Sequence, residues 1–585
     1  MKTSWNLGLL YGGHNDPVIE LDMRSIEGAY STFEKKYRRK TDYLRDETKL
    51  ARSLADFESL FQKLPLTKPL SYFHYVQDLD SGDAVARRKA TQLMERFAKN
   101  DHKIVFFELA LAKIPANLRR KFLKSKKLAH WKYYLKLVFE RARYDLSEPE
   151  EKILGLKSIP ARELWVAGTE KLLGQTTVRF RNKTLPLPEA ASKIADLPLS
   201  PRRRLHGLVA RELEKLSDVA ESEINAIVTD KKINDELRGF EKPYDGTILG
   251  YQNNRKNVLA LVDAVTRNFP ISHKFYTIKA KLLKLPHMEY SDRAAGIGKN
   301  VKEIKFGEAV KILRNVFGSL DPQFLSILEG FLQKGQIDVY PKIGKTSGAY
   351  CSGNMNAPTF VLLNYTNTMN QVMTFAHEMG HAIHTEFSKS QAPLYENYST
   401  STAEVASTLF ESFVFDAVFE KLSRKEKIIV LHKRINDDIN TIFRQIACFN
   451  FENELHNTIR ERGGMSKEEI RALMNKHMST YLGPTVRMRE IDGNMFVSWG
   501  HIRRFFYVYS YAFGQLISKA LYARYKEDKT YLVKIKRFLS AGGSDSPENI
   551  FKSIGIDVTE PDFWKKGLES IERDIEKLEK LTRNV

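Results

Sequence analysis

Apolar residues recur three and four positions apart through most of this chain, the spacing that gathers them on one face of an α-helix. Segments 26–37, 50–64 and 118–141 show it clearly, so residues 20–145 read as consecutive amphipathic helices. The period changes at Gln175-Thr176-Thr177-Val178-Arg179-Phe180-Arg181, where polar and apolar residues alternate as in a strand and Asn182-Lys183 supplies a turn. Pro186, Pro188, Pro198 and Pro201 then interrupt regular structure. This places a lobe boundary near 190: residues 1–190 form a helical lobe with a short β segment near 176–188, and residues 191–585 form the second. Helices resume from about 200. The exception is 359–365, a run of β-formers between Pro358 and Asn367-Thr368. A last stripe, Leu568, Ile571, Ile575, Leu578 and Leu581, predicts an amphipathic helix packed on its own domain, or alternatively on a partner helix in a dimer. The fold class expected is mostly α.

A chain of 585 residues exceeds one compact core, which agrees with two lobes. Its two cysteines, Cys351 and Cys448, cannot build a disulfide framework and belong to no Cys-x-x-Cys pattern, so a reducing cytoplasm is expected. Cys351 reads as a plain buried thiol. Gly12-Gly13-His14-Asn15-Asp16 interrupts the N-terminal stretch before it resembles a signal peptide, and no run of eighteen apolar residues predicts a membrane span. Net charge is +21, with basic clusters at Lys35-Lys36-Tyr37-Arg38-Arg39-Lys40, from Arg119 to Lys127, and at Arg202-Arg203-Arg204. Trp131, Tyr133 and Tyr134 follow the second cluster, which raises a nucleic-acid surface. No nucleic-acid module accompanies them, and the clusters alternate with apolar residues at helical spacing. They read as solvated helix faces. A positive field that favours acidic peptides is a further hypothesis, tested by matched acidic and basic peptides at two salt concentrations.

The chemistry lies in His377-Glu378-Met379-Gly380-His381. Val372, Met373, Ala376, Met379, Gly380 and Ile383 fall at helical spacing around it, so the motif sits on a helix. Positions i and i+4 then present two imidazoles on one face, as a zinc site needs, and Glu378 stands beside the open coordination position as general base. A third ligand is required. A metzincin would have glycine at 384 and histidine at 387, where this chain has His384 and Phe387. A glutamate from a second helix remains. Ser399-Thr400-Ser401-Thr402 is rich in N-capping residues, and the helix that follows carries Glu404 and Glu411 two turns apart on one face. Glu404 is the favoured ligand, and Glu411 would orient a ligand imidazole. Glu386, far along the first helix, and Glu396, in a loop, are rivals by distance.

Several segments together resemble the oligoendopeptidase F branch of the thimet-oligopeptidase family of zinc metallopeptidases. They are Gly344-Lys345-Thr346-Ser347-Gly348-Ala349-Tyr350-Cys351-Ser352 with Phe360 to Thr366, the zinc helix His377 to His384, and Ala403-Glu404-Val405-Ala406-Ser407. His501, Phe506-Tyr507-Val508-Tyr509-Ser510-Tyr511 and Gly542-Gly543-Ser544-Asp545 resemble the C-terminal signatures, and Trp5-Asn6-Leu7 with Asp16-Pro17 the start. The resemblance implies a two-lobed helical metallopeptidase with a deep substrate channel, a small β-sheet next to the zinc helix, and short peptides as substrates. It implies one Zn²⁺ per chain on His377, His381 and Glu404, with Glu378 as base. His501 and a tyrosine would stabilise the oxyanion, Tyr509 being the first choice and Tyr507 the second. An aromatic core helix is the plain alternative for that cluster.

Around this site, segment 344–353 is expected as a loop that closes over substrate, bringing Gly348, Ala349 and Tyr350 to it. The strand 359–365, with Phe360, is expected to offer its edge to an extended peptide. A phosphate-binding loop is excluded because Val339 stands where that motif requires glycine. The sequence therefore predicts a cytoplasmic zinc endopeptidase for oligopeptides, monomeric or homodimeric. The alternatives are a zinc carboxypeptidase or dipeptidyl carboxypeptidase, with Arg503 or Arg504 holding the terminal carboxylate, and a basic nucleic-acid-binding protein with a structural metal site.

Overall fold

The computed structural model describes residues 1–298 and 303–583. Helices dominate it; the described residues include only three small sheets, of two, two and three strands. The chain builds two compact units, each from separate stretches. The first comprises Met1–Arg143, Lys302–Glu420 and Leu521–Gly555, and the second Tyr144–Val301, Lys421–Ala520 and Ile556–Val585. These are not the 1–190 and 191–585 lobes of the sequence reading, because position 190 lies inside the second unit. There the hairpin of Thr177–Phe180 and Lys183–Pro186 packs on the helix Leu199–Lys215. The intervening prolines make turns within one unit, not a linker. The hairpin loop is Arg181-Asn182, one residue earlier than expected, with Arg181 at φ 55°.

In the first unit, the expected helices at 26–37 and 50–64 are Pro17–Tyr37 and Glu47–Lys63. Asp16 and Asp46 begin them by accepting from backbone N–H groups of the first turn. Phe33, Phe57 and Phe107 meet with ring centroids 5.0–5.6 Å apart and fill the core between these helices and Ala84–Ala112. The expected helix 118–141 is broken at Ser125, which is extended and caps Lys127. Glu58 then draws the following turn inward, accepting from Trp131 Nε1 (3.0 Å) and pairing with His130. Ala357–Leu362 is the central strand of the three-stranded sheet, parallel to Ile337–Asp338 on one side and antiparallel to Tyr350–Asn354 on the other.

In the second unit, the C-terminal helix Pro561–Thr582 buries Trp564, Leu568, Ile571, Ile575 and Leu578. It packs on Arg255–Arg267 and Arg424–Asp438 of the same unit, so its apolar stripe is covered there. Among the described residues no helix is long and apolar enough to cross a membrane.

Candidate metal centre and active site

Thr368 accepts from the Gln371 N–H and starts the helix Met369–Ser388, which carries His377, Glu378 and His381. Ser399 starts Thr400–Phe419, which carries Glu404 and Glu411. Both helices are heavily buried, and Gly380 sets how closely they approach. A Cβ there would lie 2.7 Å from Ser407 Cα and 3.0 Å from the Ala406 carbonyl oxygen, so only glycine permits this packing.

The close approach places Glu404 Oε2 at 3.4 Å from His377 Nε2 and 3.7 Å from His381 Nε2. Ligand atoms about 2 Å from one tetrahedral centre stand about 3.3 Å apart, so this donor set fits a small divalent cation. Ser407 Oγ donates to Glu404 Oε2 at 2.9 Å, and Glu411 Oε2 lies 3.5 Å from His377 Nδ1. Among the described residues, no other cluster of His, Cys, Asp and Glu has this ligand geometry. Neither rival belongs to it: Glu386 pairs with Lys389 at 2.7 Å and accepts from Thr359, and Glu396 is buried without joining the group.

The electrostatics agree. Burial opposes a charge on His377, but Glu404 and Glu411 overcome it and raise its pKa to about 10. Burial likewise opposes the Glu404 carboxylate, yet the two histidines hold it at about 2. His381, buried and beside His377, falls to about 4. His377 thus carries the charge that answers the Glu404 carboxylate, while His381 stays neutral at neutral pH. Glu378 stands next to them, 6% exposed, with Oε2 buried and unpartnered. Burial raises its pKa to about 7; the Glu404 charge adds to this and His377 opposes it.

The glycine-rich segment, expected as a closing loop, is hydrogen-bonded to the rest of its unit in this structure. Thr346 N–H donates to the Asp78 carbonyl (2.7 Å), its Oγ1 to the Asp78 carboxylate (2.9 Å), and the Tyr350 hydroxyl to the same carboxylate. Lys345 Nζ, inside the unit, donates to Asp338 (2.7 Å), and Asn364 Nδ2 holds the carbonyls of Thr346 and Gly348. Gly348 is exposed, with Ala349 and Tyr350 half-buried. Phe360 is fully buried against Trp5 and Tyr75, and its strand is paired on both sides, so it has no edge to offer. The unpaired outer edge belongs to Tyr350–Asn354, which packs beside the helix Met369–Ser388.

In the second unit, His501 Nδ1 shares a hydrogen bond with the Tyr507 hydroxyl, and Tyr511 lies 3.5 Å beyond, hydroxyl to hydroxyl. Burial, with Arg444 and Arg504 nearby, lowers the His501 pKa to about 4, so its imidazole is neutral at neutral pH. Tyr509, the first choice from sequence, is fully buried and accepts from Asn253 Nδ2 at 3.0 Å. The reversal lies in Phe505 and Phe506, at φ 49° and 60°, which turn the chain so that 507 and 511 face His501 while 509 enters the core. The sequence reading left open which tyrosine of 507–511 acts and ranked only Tyr509 and Tyr507, and it gave Ser407 no role. Tyr511 lies on the helix Tyr509–Glu527, at the end of the tyrosine run 507–511 that the sequence singles out.

Residues 225–570 match the model of Peptidase family M3, and residues 111–174 that of Oligopeptidase F. Oligoendopeptidase F (plasmid) of Lactococcus lactis subsp. cremoris is 23% identical over 610 aligned positions, covering 99% of this chain and 97% of that protein. Oligopeptidase PepF of Bacillus subtilis is 28% identical over 332 positions, 56% of this chain; there the match spans about half of the relative, 49%. The fold matches a crystal structure of oligoendopeptidase-F from Enterococcus faecium with TM-score 0.71 at 16% identity, over 97% of this chain and 99% of that one. A Chlamydophila abortus structure described as a peptidase gives 0.86 at 23% identity, over 99% and 98%. With the model match covering more than half the chain, the protein belongs to peptidase family M3, in its oligoendopeptidase F branch.

Proposed function

We propose that this chain is a zinc-dependent endopeptidase that hydrolyses internal bonds of short peptides. The observation that carries this reading is the convergence of His377, His381 and Glu404 beside the unpartnered carboxylate of Glu378. His377, His381 and Glu404 would hold the ion, with Glu411 fixing the His377 ring through Nδ1. When bound, Zn²⁺ supplies Lewis acidity towards the scissile carbonyl and brings the pKa of water towards roughly 7. Glu378 accepts the proton of the attacking water on its free oxygen and returns it to the departing amine. Its burial supports that role, because a carboxylate without partners is basic enough to take a proton and acidic enough to release it. The outer edge of Tyr350–Asn354 would hold the peptide main chain, replacing Phe360 in the expected role. For the oxyanion donors that the family resemblance implies, we favour His501 with Tyr507 over Tyr509, whose hydroxyl is already engaged.

The carboxypeptidase reading loses one of its cations. Arg503 is buried and bound to Glu223 through Nε and Nη2 (3.0 and 2.6 Å), which disfavours it as a holder of substrate carboxylate. Against the nucleic-acid reading, Arg202 and Arg203 pair with Asp292, and Lys36 with Asp56. Both free thiols fit a reducing compartment, the cytoplasm in this reading.

The test is Glu378→Gln. The variant should keep its zinc, measured by elemental analysis, and lose roughly 10²–10⁴-fold in turnover. Near-normal turnover in zinc-loaded variant would contradict the general-base role.

A further inference from the structure

Phe505 and Phe506 both lie in the left-handed region, at φ 49° and 60°, the one consecutive pair of non-glycine residues to do so among the described residues. Bulky side chains avoid that conformation, and it persists only where neighbours over-determine it. All the groups that hold it here belong to the second unit. Two of them grip a single peptide group, the one that joins the two phenylalanines. Glu452 Oε1 accepts from its N–H at 2.9 Å, and Thr247 Oγ1 donates to its carbonyl at 3.0 Å. Turning that peptide over is how such a turn returns its second residue to negative φ, and doing so would break both bonds at once.

The chain is also fixed on both sides of this peptide. Before it, Arg503 pairs with Glu223 at 2.6 Å and donates to the Phe496 carbonyl at 2.7 Å, while Arg162 donates to the Arg503 carbonyl at 2.8 Å. After it, the Ser510 N–H and hydroxyl both donate to the Tyr507 carbonyl, at 3.0 and 2.7 Å. His456, one helical turn after Glu452, sets its ring 5.2 Å from that of Phe505 and 4.8 Å from that of Phe506. Packing alone does not call for the Glu452 carboxyl. It is fully buried, its Oε2 has no partner, and the bond to Phe506 is the one it makes among the described residues. Such burial of a polar group is costly unless the group serves something.

We propose that Glu452 is a positioning residue for Tyr507. With the peptide gripped by Glu452 and Thr247, the turn sends the next residue back towards His501, where the Tyr507 hydroxyl meets Nδ1, and leaves Tyr509 in the core. With the peptide released, φ at Phe506 relaxes and the Tyr507 ring is carried off the imidazole, although neither tyrosine nor histidine has changed. A displacement of about 1 Å at such a donor is enough to cost roughly 10²-fold in rate. The inference rests on the reading of His501 and Tyr507 as oxyanion donors, and adds the residue that aims the tyrosine.

The test is a mutant cycle on the zinc-loaded full chain, read by steady-state kinetics on a blocked peptide. Glu452→Met keeps the volume and removes the acceptor; it should lower kcat roughly 10–100-fold with KM changed less than about threefold. Glu452→Gln keeps an acceptor for the Phe506 N–H and should hold kcat within about threefold of wild-type. In a Tyr507→Phe background, Glu452→Met should cost less than about twofold more, because the group it positions is gone. Thr247→Val releases the other end of the same peptide, and the cycle run with it decides the matter if Glu452→Met does not fold. Equal losses with and without the Tyr507 hydroxyl, or a wild-type kcat in Glu452→Met, overturn the positioning role and leave the donor reading standing. A wild-type kcat in Tyr507→Phe overturns the donor reading itself, and this inference with it.

Discussion

Gly380 and Ser407 meet backbone to backbone: a Cβ at 380 would stand 2.7 Å from Ser407 Cα. That contact brings Glu404, one turn before Ser407, within 3.4 Å of His377. The glycine of the motif is thus a packing requirement of the third ligand. Gly380→Ala must push the helices apart, at about 1–3 kcal/mol of overpacking. The expected result is weaker zinc binding in a chelator competition with helical content preserved. Wild-type zinc affinity in a folded variant would count against this account.

Glu411 stands 3.5 Å from His377 Nδ1 and touches no other ligand atom of the set. Removing the carboxylate in Glu411→Ala should lower zinc affinity about 10–100-fold, since it fixes the ring without binding the ion. Zinc titration against a fluorescent chelator measures this, and an unchanged affinity would assign Glu411 to the surface alone.

Tyr507 and Tyr509 should separate cleanly. Tyr507→Phe removes the hydroxyl bonded to His501 and should lower kcat roughly 10²–10³-fold. Tyr509→Phe leaves the Asn253 amide without its acceptor, costing about 1 kcal/mol of stability with kcat nearly unchanged. Steady-state kinetics with a denaturant midpoint for each variant decide it. The reverse pattern would restore Tyr509 as the donor.

Glu452, in the second unit and outside the metal-ligand set, supplies a pH test. It is fully buried and accepts from the Phe506 N–H at 2.9 Å. Burial raises its pKa from 4.5 to about 8, although the Phe506 N–H and Lys231 oppose the shift. The folded state therefore retains this proton where the unfolded state has lost it. Its contribution is complete below about 4.5 and is lost as pH rises towards about 8. Glu452→Gln keeps an oxygen for Phe506 and has no proton to lose. Its stability advantage over wild-type should widen from pH 5 to pH 8 in urea titrations; parallel pH profiles would refute the buried titration.

The motif helix was legible because its information is local: periodicity, two histidines four apart, and glycine where helices touch. Glu404 was legible because its helix announces itself with Ser399 and Thr400. Tyr509 was preferred over Tyr507 because nothing in Phe505-Phe506 suggests two consecutive residues at positive φ, a conformation bulky side chains rarely adopt. The surrounding fold holds that turn, with Glu452 on the Phe506 N–H and the Arg503–Glu223 pair just before it. The strand at Phe360 was misread as an edge because its parallel neighbour, Ile337–Asp338, is two residues long and has no sequence signature. The lobes were misplaced because each compact unit is assembled from distant stretches, which a boundary search along the chain does not find.

The central claim, metal-assisted cleavage of internal peptide bonds, is tested most directly with a nine-residue-sized peptide (roughly that length) blocked at both ends. The purified protein is incubated with it alone, with chelator, and with chelator followed by zinc, and the products are read by mass spectrometry. The account predicts internal cleavage that the chelator abolishes and zinc restores. An intact blocked peptide, alongside trimming of the unblocked peptide from its C-terminus, would contradict it.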